Sequence, residues 1–337
     1  RFIAVLVLVC CSFTYVTAQV YGTGLIASRF LGMDFTVAVY VGLAGILLCS
    51  MLGGMKAVTW TQIAQYIVLI IAYLTPIVIL STQKYGIPIP ELTYGQAIAD
   101  ITAREQEMIK QGLATVANLK PHIEPFINYT PLNFFAIMFC MMVGTASLPH
   151  ILMRYFTTPT VREARQSVAW SLFFIFLLYF SAPAYAAFSK LEVYTNIIGR
   201  DLSSIRPWMF TWGELGLIQI CGKNAANLQA VIDACKAIAG HPGVVRLQDF
   251  VINTDVIVLS TPEIAGLPYV ISGLVAAGGL AAALSTADGL LLAIANALSH
   301  DIYYKMLDPN APTVRRLTGA RVLLFLDRKS TRLNSSH

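Results

Sequence analysis

The chain has 337 residues, of which 56% are hydrophobic and only 12% charged. That is about half the charged share of a soluble domain and excludes a soluble globule. The formal net charge of +5 is spread over loops and helix ends, with no basic run and no basic helix carrying interleaved aromatics, which excludes a nucleic-acid partner.

At about 20 apolar residues per crossing, the hydropathy pattern predicts an all-α, polytopic membrane protein with six helices and the start of a seventh. The expected spans are about 2–26, 35–52, 58–80, 131–155, 167–188, 268–300 and 314–326. The chain opens on Arg1 and runs straight into the first span without a cleavage site, so a membrane helix preceded by further sequence is expected rather than a signal peptide. That span carries a polar run, SFTYVTAQVYGTG, in which Ser12, Tyr15, Gln19 and Thr23 recur at helical spacing. Such a stripe is expected to face the bundle interior, either for interhelical hydrogen bonding or as a substrate-lining surface.

A tight connection through Arg29 to Asp34 leads to the second span, and Gly53-Gly54 is expected to break it from the third. Pro76 sits near the end of the third span, where a kink is expected. Residues 81–130 form a long polar loop, whose middle, Gln96 to Leu113, has the apolar spacing of an amphipathic surface helix. The fourth span contains MMVGTASLPHI, and its Gly144, Thr145, Ser147 and Pro149 predict a helix broken within the membrane. Free amides at a break near Gly144 and Thr145 would suit a small carboxylate. His150, close to the interface, reads as structural.

A basic turn leads to the fifth span, and a second long loop, 189–266, follows it. That loop holds Cys221 and Cys235, which an oxidising compartment would allow to pair. Cys10, Cys11, Cys49 and Cys140 lie in apolar segments and read as small hydrophobes. No Cys or His spacing suggests a metal site. Lys56, Arg154, Arg162, Arg165, Lys305, Arg315 and Arg316 fall on one side of alternating helices, which the positive-inside rule assigns to the cytoplasm. Loops 81–130 and 189–266 are then external. The polar residues 327–337 are expected to be a non-native tail.

The sixth span reads GLVAAGGLAAALSTADGLLLAIANALSHDIYYK. Gly278, Ala282, Ser285, Thr286 and Gly289 share one stripe, and Asp288 lies on its edge. A carboxylate inside a membrane helix costs about 2.5–3.5 kcal/mol on insertion scales and marks an ion or proton pathway. Two adjacent hydroxyls and a backbone carbonyl supply hard oxygen ligands for an alkali cation. The alternative is that the hydroxyls merely bond to the preceding turn.

The segment LSTADGLLLAIANALSHDIYYK resembles the eighth core helix of the sodium:solute symporter family, especially its acetate-permease-like and monocarboxylate-type members. GGMKAVTWTQIAQ is similar to the junction of that family's fourth and fifth core helices, and GTASLPHILMRYFTTP to its sixth, so the resemblance covers nearly all of residues 1–326. It implies a leucine-transporter-type inverted-repeat fold, truncated to about core helices 3 to 8 plus the start of 9. It further implies cation binding by the carbonyl of Ala282 and the hydroxyls of Ser285 and Thr286, with half of that site lying in core helices the sequence lacks. Several sodium-coupled members have aspartate where this chain has Gln62, so Asp288 is expected to supply the acidic group of the ion pathway. Tyr15, Gln19, Met141 and Thr145 are the expected substrate-lining residues.

The resemblance therefore implies a secondary active transporter in a bacterial inner membrane, carrying a small monocarboxylate such as acetate together with Na+ or H+. The alternatives are an amino acid or other small solute, or a symporter-like sensory module of a signalling protein. The expected partners are the solute, the cation and the lipid bilayer. No cofactor is expected beyond the coupling ion. Nothing in the sequence has the pattern of an enzyme: there is no Ser/His/Asp context, no phosphate loop after a strand and no helical metal-ligand pair.

Overall fold

A computed structural model describes residues 2–127, 129–310, 312, 315 and 319, without the side chains of residues 46–55. The expected seventh span, 314–326, and the tail 327–337 lie outside the described residues. Ten α-helices are described: α1 (Phe2–Leu31), α2 (Phe35–Tyr85), α3 (Pro90–Lys110), α4 (Pro131–Ala146), α5 (Pro149–Tyr155), α6 (Val161–Asn196), α7 (Pro207–Glu214), α8 (Leu228–Lys236), α9 (Ile257–Ile264) and α10 (Tyr269–Asn296). A π-helical stretch, Ala297–Leu307, continues from α10.

Among these, α1, Lys56–Tyr85 of α2, α6 and the run from Tyr269 to Leu307 are long and apolar enough to cross a membrane. The pair α4 and α5 qualifies as one span bent by 43°, and Phe35–Gly45 forms a shorter apolar stretch. The chain is a multi-pass, mostly helical membrane protein. The predicted break at Gly53-Gly54 is not a turn in the structure, where α2 runs through both glycines. Glycine in a helix interior costs only about 1 kcal/mol relative to alanine, so two of them weaken a helix without obliging it to end. The fifth span also extends beyond its expected limits at both ends, as the polar turns on either side continue helical hydrogen bonding in α6.

The chain divides into two compact units, the first formed by Arg1–Ile70, Ile137–Ser171 and the stretch from Ala276, the second by Ile71–Ala136 and Leu172–Val275. In the first, Val16 and Val20 of α1, Val39 and Leu43 of α2, and Ala287, Leu290, Leu291 and Ile294 of α10 form one apolar core. Helix α1 meets α2 at close range because a glycine on each faces the other. A Cβ on Gly24 would run into the Val39 side chain, and one on Gly42 would lie 2.5 Å from Cγ2 of Thr23. This is the small-residue packing expected where no hydrophobic effect drives helices together.

The buried stripe of α1 passes through Ser12, Val16, Val20 and Thr23. The expected stripe shared only its two ends with this. Tyr15 is exposed and Gln19 half-buried, each one residue, or about 100° of helix, away from the buried line.

The second unit turns most of the two expected loops into ordered structure. Helix α3 covers the predicted amphipathic segment as far as Lys110 and buries Ala97, Ile101 and Met108 along one face. That face is docked on protein: Nε of Arg104 donates to the Tyr194 carbonyl, and Lys190 pairs with Glu105 at 2.9 Å. Three short strands, β1 (Ile218–Ile220), β2 (Lys223–Asn224) and β3 (Phe250–Ile252), make an antiparallel sheet in the order β2-β1-β3. Nothing in the helical reading anticipated it, because strands of two or three residues carry no periodic signal.

Gly213 of α7 lies against this sheet so closely that a Cβ would strike the backbone of Ala225. A disulfide joins Cys221 to Cys235. Beside it, Asp249 is buried and accepts from Nε of Arg246 at 2.7 Å, Nη2 of Arg246 at 3.0 Å and the Arg246 amide at 3.2 Å, with His241 Nε2 at 3.0 Å. Burial pushes the Asp249 carboxyl up, but the bonds from Arg246 and His241 outweigh it and hold the group below its ordinary 3.8.

Candidate functional site

The candidate site lies in the first unit, on the side of α10 that carries Ala282, Ser285, Thr286 and Gly289. The opposite face of α10 is fixed by its apolar core, which leaves the small and polar positions to meet other elements. The hydroxyl of Ser285 donates to the Ala282 carbonyl at 2.9 Å, and that of Thr286 donates to the same oxygen at 3.2 Å. Three oxygens thus converge within one helical turn. Both O–H groups point at the carbonyl, and each hydroxyl oxygen keeps lone pairs that can coordinate a cation.

Gln62 of α2 joins this helix through its side-chain amide, which donates to the Ser285 carbonyl at 2.6 Å. Its Oε1 is buried without a hydrogen-bond partner among the described residues, as is Nδ1 of His150. Gly289 is the point where the elements meet. A Cβ on it would lie 3.3 Å from Nη2 of Arg154, 3.6 Å from Nε2 of Gln62 and 3.6 Å from Cβ of His150. Asp288, next in sequence, is 1% exposed. The structure therefore gathers Gln62, Ala282, Ser285 and Thr286, and places Asp288 inside the packed part of the unit.

His150 and Arg154 belong to this cluster, although sequence reasoning assigned them no role in it. The signal available was their i, i+4 spacing on a helix that starts at a proline, which sets both on one face. His150 also meets the edge of the Tyr15 ring, with centroids 6.2 Å apart.

The four expected substrate-lining residues are not gathered into one site. Tyr15 reaches α5 through His150, Gln19 is half-buried on α1, and Met141 and Thr145 are both exposed on α4. The break in the fourth span also falls later than expected. Helix α4 continues through Gly144 and Thr145 to Ala146, and α5 begins at Pro149. Proline forces its predecessor Leu148 out of the helical region, to φ −62° and ψ 118°, whereas Gly144 stays helical. The break thus presents the carbonyl end of α4 together with the first turn of α5, which opens at Pro149. Ser147 caps α4, its amide bonding to the Val143 carbonyl and its hydroxyl to that of Gly144. Free amides near Gly144 and Thr145 are not what the break presents, and a helix C-terminus favours a cation over an anion.

In the second unit, Cys221, Cys235 and His241 bring potential metal-ligating atoms within 4.8 Å of one another. The two sulfurs are bonded to each other and offer no thiolate. Nδ1 of His241 accepts from the Gly243 amide at 3.1 Å, which leaves the proton on Nε2 facing Asp249. Both features fit a structural knot.

Residues 1–199 match the Sodium:solute symporter family. An uncharacterized symporter of Cupriavidus necator is 37% identical over 96% of this chain, which covers 58% of that relative's length. A monocarboxylic acid transporter of Corynebacterium glutamicum is 31% identical over 49% of the chain and 30% of its own length. The chain therefore spans less than two thirds of the curated relatives it matches. No solved structure matches.

Proposed function

The chain belongs to the sodium:solute symporter family, and on that premise we propose that the protein it represents is a secondary active transporter. In this reading it carries a small monocarboxylate such as acetate together with a cation, Na+ in the first instance, by alternating access. The observation that carries the cation part is the convergence of the Ala282 carbonyl with the hydroxyls of Ser285 and Thr286 on α10. These are hard, uncharged oxygen donors of the kind a weakly held alkali ion exchanges among, and uncharged donors allow release as well as binding.

Gln62 and Asp288 form the ion pathway next to them. Gln62 holds the Ser285 carbonyl through its amide and keeps a buried oxygen without a donor among the described residues. Asp288 supplies the carboxylate. A neutral glutamine on α2 and an acid on α10 divide between two helices what one carboxylate beside the site would do. The monocarboxylate reading draws support from the name of the Corynebacterium glutamicum relative. Of the expected solute contacts, Tyr15 stands beside the cluster, its ring against that of His150, and the carbonyl end of α4 is a further cation-favouring feature.

Uptake of labelled acetate, pyruvate and proline by the full-length protein in vesicles tests both parts. Acetate and pyruvate uptake is expected to rise with an inward sodium gradient. Uptake of proline in their place would refute the substrate class, and acetate uptake indifferent to sodium would refute the coupling ion.

A further inference from the structure

Arg154 of α5 carries a charge that nothing around it answers. Its side chain makes no hydrogen bond or ion pair among the described residues. Its Nη2 nevertheless lies 3.3 Å from where a Cβ on Gly289 would stand, at the meeting point of α2, α5 and α10. A guanidinium has five N–H donors and no acceptor, so it ordinarily stands where a carboxylate or carbonyl receives it.

The neighbouring groups account for this. Nε2 of Gln62, 3.6 Å from the same point, is itself a donor and is directed at the Ser285 carbonyl. Cβ of His150, also at 3.6 Å, is apolar. Asp288 leaves α10 about 100° round the helix from Gly289 and is 1% exposed. Arg154 as a residue is exposed, so its guanidinium can turn outward to water without breaking a bond.

The distance to the cation ligands sets what such a charge does. Gly289 lies one helical turn beyond Ser285, about 6 Å along the axis, and with the sideways reach of the side chain the guanidinium stands about 8 Å from an ion held there. At an effective dielectric of about 30–60, between those of a protein surface and water, a unit charge at that range weakens a bound cation about three- to tenfold. The carboxylate of Asp288 acts in the opposite sense. One turn of α10 therefore has beside it a charge that draws a cation in and a charge that drives it out.

We propose that Arg154 is the release group of the coupling cation: its unpaired guanidinium, seated beside Gly289, lowers the affinity of the α10 ligands and so speeds the departure of the ion. The proposal rests on the transport reading and on the cation site of α10. Arg154 is a positioning residue in this role, since it acts through its charge and does not touch the ion. With the guanidinium beside Gly289 the ligands hold the cation weakly, and with it turned outward they hold the cation more tightly.

The test measures binding of radioactive sodium to the full-length protein in detergent, and sodium-driven acetate uptake in proteoliposomes. Arg154→Gln is expected to bind sodium about three- to tenfold more tightly. Its maximal uptake rate should fall because release slows, and the sodium concentration for half-maximal rate should fall with it. A merely structural role for Arg154 would lower uptake without tightening sodium. Arg154→Lys keeps the charge, and where no bidentate partner is involved it should stay within about twofold of the parent. Gly289→Ala retains Arg154 but crowds its Nη2, while Gln62 and His150 remain at ordinary contact distance, so a smaller shift in the same direction is expected. Ser285→Ala reports on the cation site itself and should bind sodium more weakly. Weaker binding in Ser285→Ala without tighter binding in Arg154→Gln would overturn the proposal and leave the cation site standing. Equal tightening in Arg154→Gln and Arg154→Lys would do the same. Sodium binding indifferent to Ser285→Ala would overturn the cation site, and the proposal with it.

Discussion

Replacing the two α10 hydroxyls separates a ligand role from a packing role. Ser285→Ala and the nearly isosteric Thr286→Val each remove one O–H that donates to the Ala282 carbonyl. That carbonyl stays within the hydrogen-bonded interior of α10, so neither change orphans it. A hydroxyl bonded back to the preceding turn adds little to a helix and tends to bend it. The expected change in stability is therefore within about 0.5 kcal/mol, less than a degree or two in Tm for a protein of this size. As a cation ligand the same hydroxyl contributes much more. An interaction of a polar group with a full charge is worth about 1.5–3 kcal/mol, which is about a ten- to hundredfold change in binding constant. Sodium-dependent uptake by the full-length protein, measured as the sodium concentration for half-maximal rate, should accordingly rise by that factor in each variant while Tm holds. A Tm that falls by several degrees with unchanged sodium dependence would refute the assignment and leave the hydroxyls a structural role.

Two further outcomes concern the second unit. Asp249→Ala removes the acceptor of Arg246 and His241 from a site that is 5% exposed, and breaking a buried pair on one side costs about 3–5 kcal/mol. Since the folded-state pKa of Asp249 is depressed, its contribution is fully present above its ordinary value and is lost as pH falls through the folded value. The stability gap between parent and variant, followed by thermal unfolding at several pH values, should thus be full at neutral pH and close below about pH 4. Gly213→Ala drives a methyl group into the Ala225 backbone, whose Cα would lie 2.8 Å away. As backbone cannot rotate aside like a flexible side chain, the expected loss is at least about 1–3 kcal/mol, seen as a lower Tm, and an unchanged Tm would show that α7 and the sheet are not this close.

What the sequence determined by itself is the class of molecule, a mostly helical membrane protein. Twenty-residue apolar runs, a proline after MMVGTASL and basic residues in the short connections are local features. The bilayer requires each helix to satisfy its own backbone, so local composition is enough to place it. The family was legible for a similar reason, since LSTADGLLLAIANALSHDIYYK and GGMKAVTWTQIAQ are contiguous strings. The convergence of Ser285 and Thr286 on Ala282 was equally within reach, because residues three and four apart share a helix face.

What only the tertiary structure decided depends on the rotation of one element against another, to which hydropathy is blind. One residue along α1 turns the side chain by about 100°, and that moved the buried line from Tyr15 and Gln19 to Val16 and Val20. The bond from Gln62 to the Ser285 carbonyl joins residues 223 positions apart, and no spacing rule reaches that far. His150 and Arg154 enter the cluster by packing against Gly289, where a Cβ would crowd only the end of the Arg154 side chain. The ordered unit built from the two expected loops is the largest such case. Its three short strands, its disulfide and its Asp249 knot lack any long periodic segment, and each joins residues that no local pattern pairs.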